Sequence, residues 1–172
     1  MRHAQRTVPR WALILGASSG FGEATARELA KAGYDIAGVH LDRAHRLPHV
    51  EQIKADIEAT GHRAWYFNVN ANDDEQRKAV LDELEEDVAE SGGTVAILLH
   101  SLAFGTLKPY IAEDAITKRN MHMTMDVMAH SLVWWAQDLV ARKLMNDGEG
   151  HCENSGTLFG AGVRVARGGV SG

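Results

Sequence analysis

Cysteine is almost missing from this chain: Cys152 is the only one in 172 residues. No internal disulfide can form, and a reducing compartment such as the cytoplasm is the expected location. Positive charge is short as well. The formal net charge is −5, and the acids are spread over predicted helices, which removes the electrostatic case for nucleic acid or an anionic membrane. No stretch approaches the ~20 apolar residues needed to span a bilayer, so no membrane partner is expected. Residues 1–10 carry Arg2, Arg6 and Arg10 with no acid, but Trp11 to Leu15 is too short for a signal core, and the segment reads as a flexible arm. What remains is ordinary: 45% hydrophobic and 24% charged residues suit one domain with a real core and small-molecule partners.

The most informative stretch runs from Trp11 to Gly22. An apolar strand leads into Gly16-Ala17-Ser18-Ser19-Gly20-Phe21-Gly22 and then into a helical pattern. Glycine permits positive φ and close backbone approach in such a strand-to-helix turn. The helix that follows aims unpaired amides and its positive dipole end at a pyrophosphate. The glycines alone would fit any surface turn; the flanking strand and helix select a nucleotide-phosphate cradle.

From residue 11 to 145 short apolar runs alternate with helical patterns, the signature of βαβ crossovers and a parallel sheet. Strands are expected near 11–15, 35–41, 63–69 and 94–100. The first helix runs from Glu23 to Ala32 and stops at Gly33. The second, Val50 to Thr60, pairs Ile53 with Ile57 and ends before Gly61. The third starts at Asn72 with Glu75 as a capping box, and aligns Val80, Leu81, Leu84 and Val88 before Gly92-Gly93. This predicts a Rossmann-like doubly wound α/β domain over 11–150.

A fourth helix between Glu113 and Leu144 repeats Met121, Met125, Met128, Leu132, Trp135 and Leu139 at spacings of four and three. That stripe is expected to be buried, on the sheet or on a partner helix, and Trp134 beside it points to a subunit interface in a homo-oligomer formed through residues 121–139. His122, Asp126 and His130 recur every four residues, but no further ligand converges on them in sequence, so a polar helix face explains them better than a metal. Residues 151–172 hold six glycines and no periodic run; a helix-to-strand step is due near Gly148 and is not supplied. This tail reads as irregular, as disordered or out-of-frame text would.

Placed on a first βα turn, Gly16 to Gly22 resembles the short-chain dehydrogenase/reductase superfamily over residues 10–150. Further residues narrow the resemblance. His100-Ser101-Leu102-Ala103-Phe104 stands where most members have Asn-Asn-Ala-Gly, and is similar to the His-Ser-Ile-Ala-Phe segment of enoyl-acyl-carrier-protein reductases. Met128 occupies the place of a catalytic-network asparagine that those reductases also lack. The resemblance implies a nicotinamide dinucleotide cofactor, held by Gly16, Ser18, Ser19, Gly20, Phe21 and Gly22 around the phosphates and by Asn68 and Val69 near the adenine. Ser101, Leu102 and Ala103 would offer backbone contacts to ribose and nicotinamide. Asp42 suits ribose hydroxyls and the adjacent Arg43 a 2′-phosphate, which leaves NAD and NADP open with a lean toward NADP. His100 reads as a strand-end histidine bonded to a neighbouring backbone group rather than as a proton donor.

The superfamily's proton donor is a tyrosine with a lysine four residues on, farther in enoyl reductases. Tyr34, Tyr66 and Tyr110 are followed at four residues by Gly38, Asn70 and Asp114 and at seven by Leu41, Asp73 and Thr117, and the last lysine is Lys143. No catalytic residue is therefore named. The expectation is an NAD(P)-dependent oxidoreductase of enoyl-thioester-reductase type, acting on an acyl-thioester or other small molecule in the full-length family, truncated here and inactive alone. A non-catalytic nucleotide-binding or regulatory module and a ketone or alcohol dehydrogenase stand as alternatives.

Overall fold

A computed structural model describes residues 8–145 and 157–159. Four apolar runs form the strands β1 (Arg10–Leu15), β2 (Asp35–His40), β3 (Ala64–Asn68) and β4 (Thr94–His100). With β5 (Thr157–Phe159) they make one sheet in the order β3-β2-β1-β4-β5, every pairing parallel. Between them lie the helices α1 (Gly20–Lys31), α2 (Leu47–Glu58) and α3 (Asp74–Ser91). A helical rod follows β4, made of α4 (Lys118–Met125), a π-helical turn (Asp126–His130) and α5 (Ser131–Ala141). No helix among the described residues is long and apolar enough to cross a membrane.

Strand pleating divides the interior into two cores. Trp11, Leu13 and Leu15 join Val39, Leu84, Trp135 and Leu139 on the face covered by α3 and α5. Ala12 and Ile14 join Ile36, Ala26, Ala30, Ile53 and Ile57 on the face covered by α1 and α2. This is a doubly wound sheet, and β1 at its centre is buried from Trp11 to Leu15, as a strand covered on both faces must be. Gly33 (φ +94°) and Gly92 (φ +70°) end α1 and α3 where the sequence places their stops.

Helix starts depart from the sequence pattern. α1 begins at Gly20 rather than Glu23, because the glycine turn coils straight into the helix and the Glu23 N–H already bonds the Ser19 carbonyl at 3.2 Å. α2 starts at Leu47, with Pro48 in the first turn where an amide is not needed. The cap of α3 is Asp73, not Asn72: its carboxylate accepts the Gln76 N–H at 2.9 Å, while Gln76 Oε1 accepts the Asn70 N–H at 2.7 Å.

Only one end of the methionine stripe is buried within the single chain. Trp135 and Leu139 are fully buried, but Met121, Met125 and Met128 are about half exposed. The cause is where the sheet ends. His100, the last residue of β4, meets Ser131, the first of α5, so everything before Ser131 projects past the strand, and α4 has no buried residue. The π turn also re-phases the rod: the Ser131 N–H bonds the Asp126 carbonyl five residues back, which inserts a residue into the helical repeat. At the other end the Leu144 carbonyl accepts the Val95 N–H at 2.8 Å and the Thr94 hydroxyl at 2.9 Å, fixing the rod's exit at the start of β4.

Beyond Gly148 the described residues are one short strand. Thr157, Leu158 and Phe159 pair in parallel with Ile97, Leu98 and Leu99. Three residues are too few to show a period. The rest of the 151–172 tail, Cys152 included, lies outside the described residues, as do residues 1–7 of the arm. The end of that arm is held: the Pro9 carbonyl accepts the Thr94 N–H at 3.1 Å, and the Arg10 guanidinium stacks 4.5 Å from the Tyr34 ring centre.

Candidate functional site

The chain leaves β1 toward β2 on one side and reaches β4 on the other, so a crevice opens at the carboxyl ends of β1 and β4. The two loops there touch. The Ser101 N–H bonds the Leu15 carbonyl at 2.7 Å, and a Cβ on Gly16 would stand 2.4 Å from the Ser101 carbonyl oxygen. Gly16 has φ +89°, and the Val39 carbonyl accepts both its N–H and that of Ala17, at 2.8 and 3.1 Å. A Cβ on Gly22 would lie 1.9 Å from the Gly16 carbonyl oxygen, so α1 rests directly on the turn. Gly20 is different: at φ +56°, its Cβ would meet nothing within 4 Å. Two glycines permit close packing, and the third leaves open space at a helix N-terminus.

That space suits a phosphate. Ser19 precedes α1 without its side chain capping the helix, so the first-turn amides stay available. The one acid in that turn, Glu23, is paired with Arg27 at 3.1 Å and with His49 Nε2 at 2.9 Å, which offsets its repulsion of an anion. Phe21 is exposed and Ser18 is buried.

At the end of β2 the Asp42 carboxylate is heavily engaged. Its Oδ2 meets His40 Nδ1 at 3.0 Å, its Oδ1 meets Arg46 Nε at 3.2 Å, and the Ser18 hydroxyl also bonds it. Burial opposes ionisation of Asp42, but these three partners together hold its carboxyl below the usual range. Asn68 clamps the same residue through the backbone: Oδ1 accepts the Asp42 N–H at 2.9 Å and Nδ2 donates to the Asp42 carbonyl at 3.0 Å. Asn68 is thus a brace for the β2 loop. Val69 continues β3, its N–H bonding the His40 carbonyl at 2.8 Å. Arg43 is exposed next to this cluster.

After β4 the chain turns outward. His100 is buried and its Nε2 lies 2.9 Å from Ser131 Oγ, which itself donates to the Val127 carbonyl at 2.7 Å. The hydroxyl has one proton, so His100 Nε2 is the donor to it. The sequence placed a backbone partner here; the structure gives the ring backbone hydrogen bonds at Val127 and at His100 itself, and adds the Ser131 side chain. Ser101 and Leu102 are half-buried beside Gly16, Ala103 is exposed, and Phe104, Leu107, Tyr110 and Ile111 form an exposed apolar loop.

Burial lowers the pKa of His100, and burial outweighs Asp42 to lower that of His40. Each histidine therefore binds its proton more weakly folded than unfolded, where the value is about 6.5. Their contribution is intact above that pH and is lost as pH falls through it toward the folded values. Thermal melting followed from pH 8 to pH 5 should show a flat midpoint down to about 6.5 and a decline below it. A midpoint that rises on acidification in that window contradicts this account.

The three tyrosines are scattered. Tyr34 sits before β2, at the opposite end of the sheet from the crevice. Tyr66 is directed into the α1/α2 side, its hydroxyl buried without a partner and its pKa raised by burial. Tyr110 lies on the loop at the crevice end, largely exposed. His130 Nδ1 bonds Asp126 at 2.8 Å on the surface, and no cluster of three metal-ligating side chains occurs among the described residues. Sequence reasoning missed His40 and Arg46. The signals were present: His40 and Asp42 lie two apart on an extended segment, hence on one side of it, and Arg46 follows Asp42 by one turn.

An all-parallel sheet with helices on both faces and a glycine-lined crevice at its switch point defines a Rossmann-like α/β domain. The chain belongs to the short-chain dehydrogenase/reductase family, residues 16–165 matching the family profile described as enoyl-(acyl carrier protein) reductase. Solved structures agree. A short-chain dehydrogenase/reductase from Burkholderia xenovorans is 19% identical with a TM-score of 0.72, the match covering 90% of this chain and 59% of that one. A 3-oxoacyl-[acyl-carrier protein] reductase from Brucella melitensis, in complex with NAD, is 21% identical with a TM-score of 0.63 over 83% of this chain and 51% of that one. L-Sorbose reductase from Gluconobacter frateurii, complexed with NADPH and L-sorbose, is 27% identical with a TM-score of 0.61 over 78% and 47%. The chain spans about half the length of these relatives.

Proposed function

We propose that this chain is the cofactor-binding portion of an NAD(P)-dependent oxidoreductase of enoyl-thioester-reductase type, and that the 172-residue polypeptide binds a nicotinamide dinucleotide without reducing a substrate. The observation that carries the binding half is the open space at Gly20 between two glycines that admit no Cβ. Gly20 and the α1 amides would hold the pyrophosphate, Asp42 and its neighbours the adenosine ribose, and Ser101 to Ala103 the nicotinamide side. Bound there, the dinucleotide would supply hydride chemistry. The enoyl assignment rests on the matching profile, on His100-Ser101-Leu102-Ala103-Phe104 and on Met128. The exposed apolar residues Phe104, Leu107 and Ile111 beside the crevice suit an acyl chain.

The non-reducing half is chemical. A reduced enoyl or carbonyl group leaves an enolate or alkoxide that needs a proton, and no tyrosine here has a lysine at family spacing to lower its pKa. Purified 1–172 should consume no reduced nicotinamide with enoyl thioesters, ketones or aldehydes, while retaining cofactor binding. Turnover at ordinary enzyme rates that Tyr110→Phe abolishes would overturn this.

Self-association through the rod belongs to the same proposal. Met121, Met125, Met128, Val133, Trp134 and Val140 are exposed along it, a surface that a second copy would cover. Sedimentation at micromolar concentration should show a dimer or larger species, and Trp134→Glu should shift it toward monomer. A compact wild-type monomer contradicts the assignment.

A further inference from the structure

We infer that Tyr66 is a positioning residue for the phosphate turn: its ring, laid across Gly38, supports Ala17 from the interior and holds the Gly16 to Gly20 backbone in its ligand-ready shape. The inference rests on the dinucleotide site proposed above. Tyr66 on β3 pairs in register with Gly38 on β2. Gly38 has no positive φ that would call for glycine, so what excludes a side chain there is space. A Cβ on Gly38 would stand 2.8 Å from the Ala17 Cβ and 2.8 Å from both Cε1 and Cζ of Tyr66. The outer end of the ring and the alanine of the turn therefore converge on the spot that the missing side chain leaves. Glycine inside a strand marks such a close approach.

Ala17 is the point where support sets the shape of the turn. It is fully buried, and its N–H shares the Val39 carbonyl with that of Gly16, at 3.1 and 2.8 Å. A shift of Ala17 pulls on both bonds. Ser19 and Gly20, which follow, are exposed, and a Cβ on Gly20 would meet nothing within 4 Å. The fold thus grips this turn at its buried start and leaves its outer part to the ligand, the arrangement that pre-organisation requires. The hydroxyl of Tyr66 takes no share in the grip. It is buried without a hydrogen-bond partner among the described residues, a state that costs stability. What the side chain contributes is the span of its ring over Gly38.

The test pairs calorimetric titration with NADPH and amide hydrogen exchange on the unliganded 172-residue chain. Tyr66→Leu, or Tyr66→Met if the leucine variant does not fold, should weaken NADPH about tenfold, because apparent affinity falls with the fraction of molecules whose turn is competent. It should also speed exchange at the Gly16 and Ala17 amides by more than at the amides of β4, which a general loss of stability would not do. Tyr66→Phe keeps the ring and should bind as wild type does, with a melting temperature no lower. Gly38→Ala pushes a methyl group into the same contact and should weaken NADPH as well. In the double variant Gly38→Ala/Tyr66→Leu the loss should be smaller than the product of the two single losses, since both act on one contact. Wild-type affinity in folded Tyr66→Leu protein, exchange that speeds equally at the turn and in β4, weakened binding in Tyr66→Phe, or single losses that simply multiply would each overturn the inference and leave the dinucleotide site standing. Failure of folded wild type to bind NADPH overturns both.

Discussion

Gly20→Val should abolish dinucleotide binding while leaving the protein folded. No protein atom lies within 4 Å of a Cβ at this position, so the new side chain fills only the open space over the α1 N-terminus. The internal cost is the strain of a β-branched residue at φ +56°, about 1–2 kcal/mol for a left-handed conformation. The ligand loses far more. Blocking two amide bonds to a charged pyrophosphate at about 1.5–3 kcal/mol each weakens binding by roughly a hundredfold or more. Titration of NADPH beside a thermal melt separates the two effects. Retained affinity in folded Gly20→Val protein would remove the site from this turn. Gly22→Ala should behave differently, because its Cβ collides with the Gly16 carbonyl and fold and binding fail together.

Trp135→Ala should be the most damaging single change in the core. The ring is fully buried in the core to which the sheet and α3 both contribute, and its Nε1 donates to the Ala71 carbonyl at 2.8 Å. Truncating a buried tryptophan costs about 3–5 kcal/mol, and stranding the carbonyl adds about 1–3 kcal/mol. Against a total stability of roughly 5–15 kcal/mol, that leaves a large unfolded fraction. A fall in melting temperature of roughly 10 °C or more is expected for a chain of this size. The neighbouring Trp134→Ala should cost about 1 kcal/mol or less in the monomer, since Trp134 is exposed. Equal losses at 134 and 135 would mean that the rod is not seated on β4 by the face described here.

The contrast between these two tryptophans marks what sequence could and could not convey. Strands β1 to β4 were legible because each is an apolar run bounded by turn residues, and the glycine turn because its spacing follows from close packing at Gly16 and Gly22. Periodicity also found the buried end of the rod at Trp135 and Leu139. It could not tell that the sheet ends at His100, and so could not separate the part of the stripe that meets the sheet from Met121 to Met128, which overhang it. Nor does a π turn have a local signature; it lies directly before Ser131, the residue that bonds His100. The cap of α3 was ambiguous for a plainer reason, since Asn70, Asn72 and Asp73 are all competent capping residues. At the candidate site, sequence found the acid Asp42 but not its saturation by His40, Arg46 and Ser18, because partners from three segments converge only in the fold.

The most direct measurement for the central claim is residue-resolved: amide chemical shifts of the isotope-labelled chain during titration with NADPH. Saturable changes are expected at Gly16 to Gly22, at Asp42 to Arg46 and at Ser101 to Ala103, which line one crevice although far apart in sequence. Changes confined to other surfaces, or a spectrum unaltered at saturating cofactor, would contradict it.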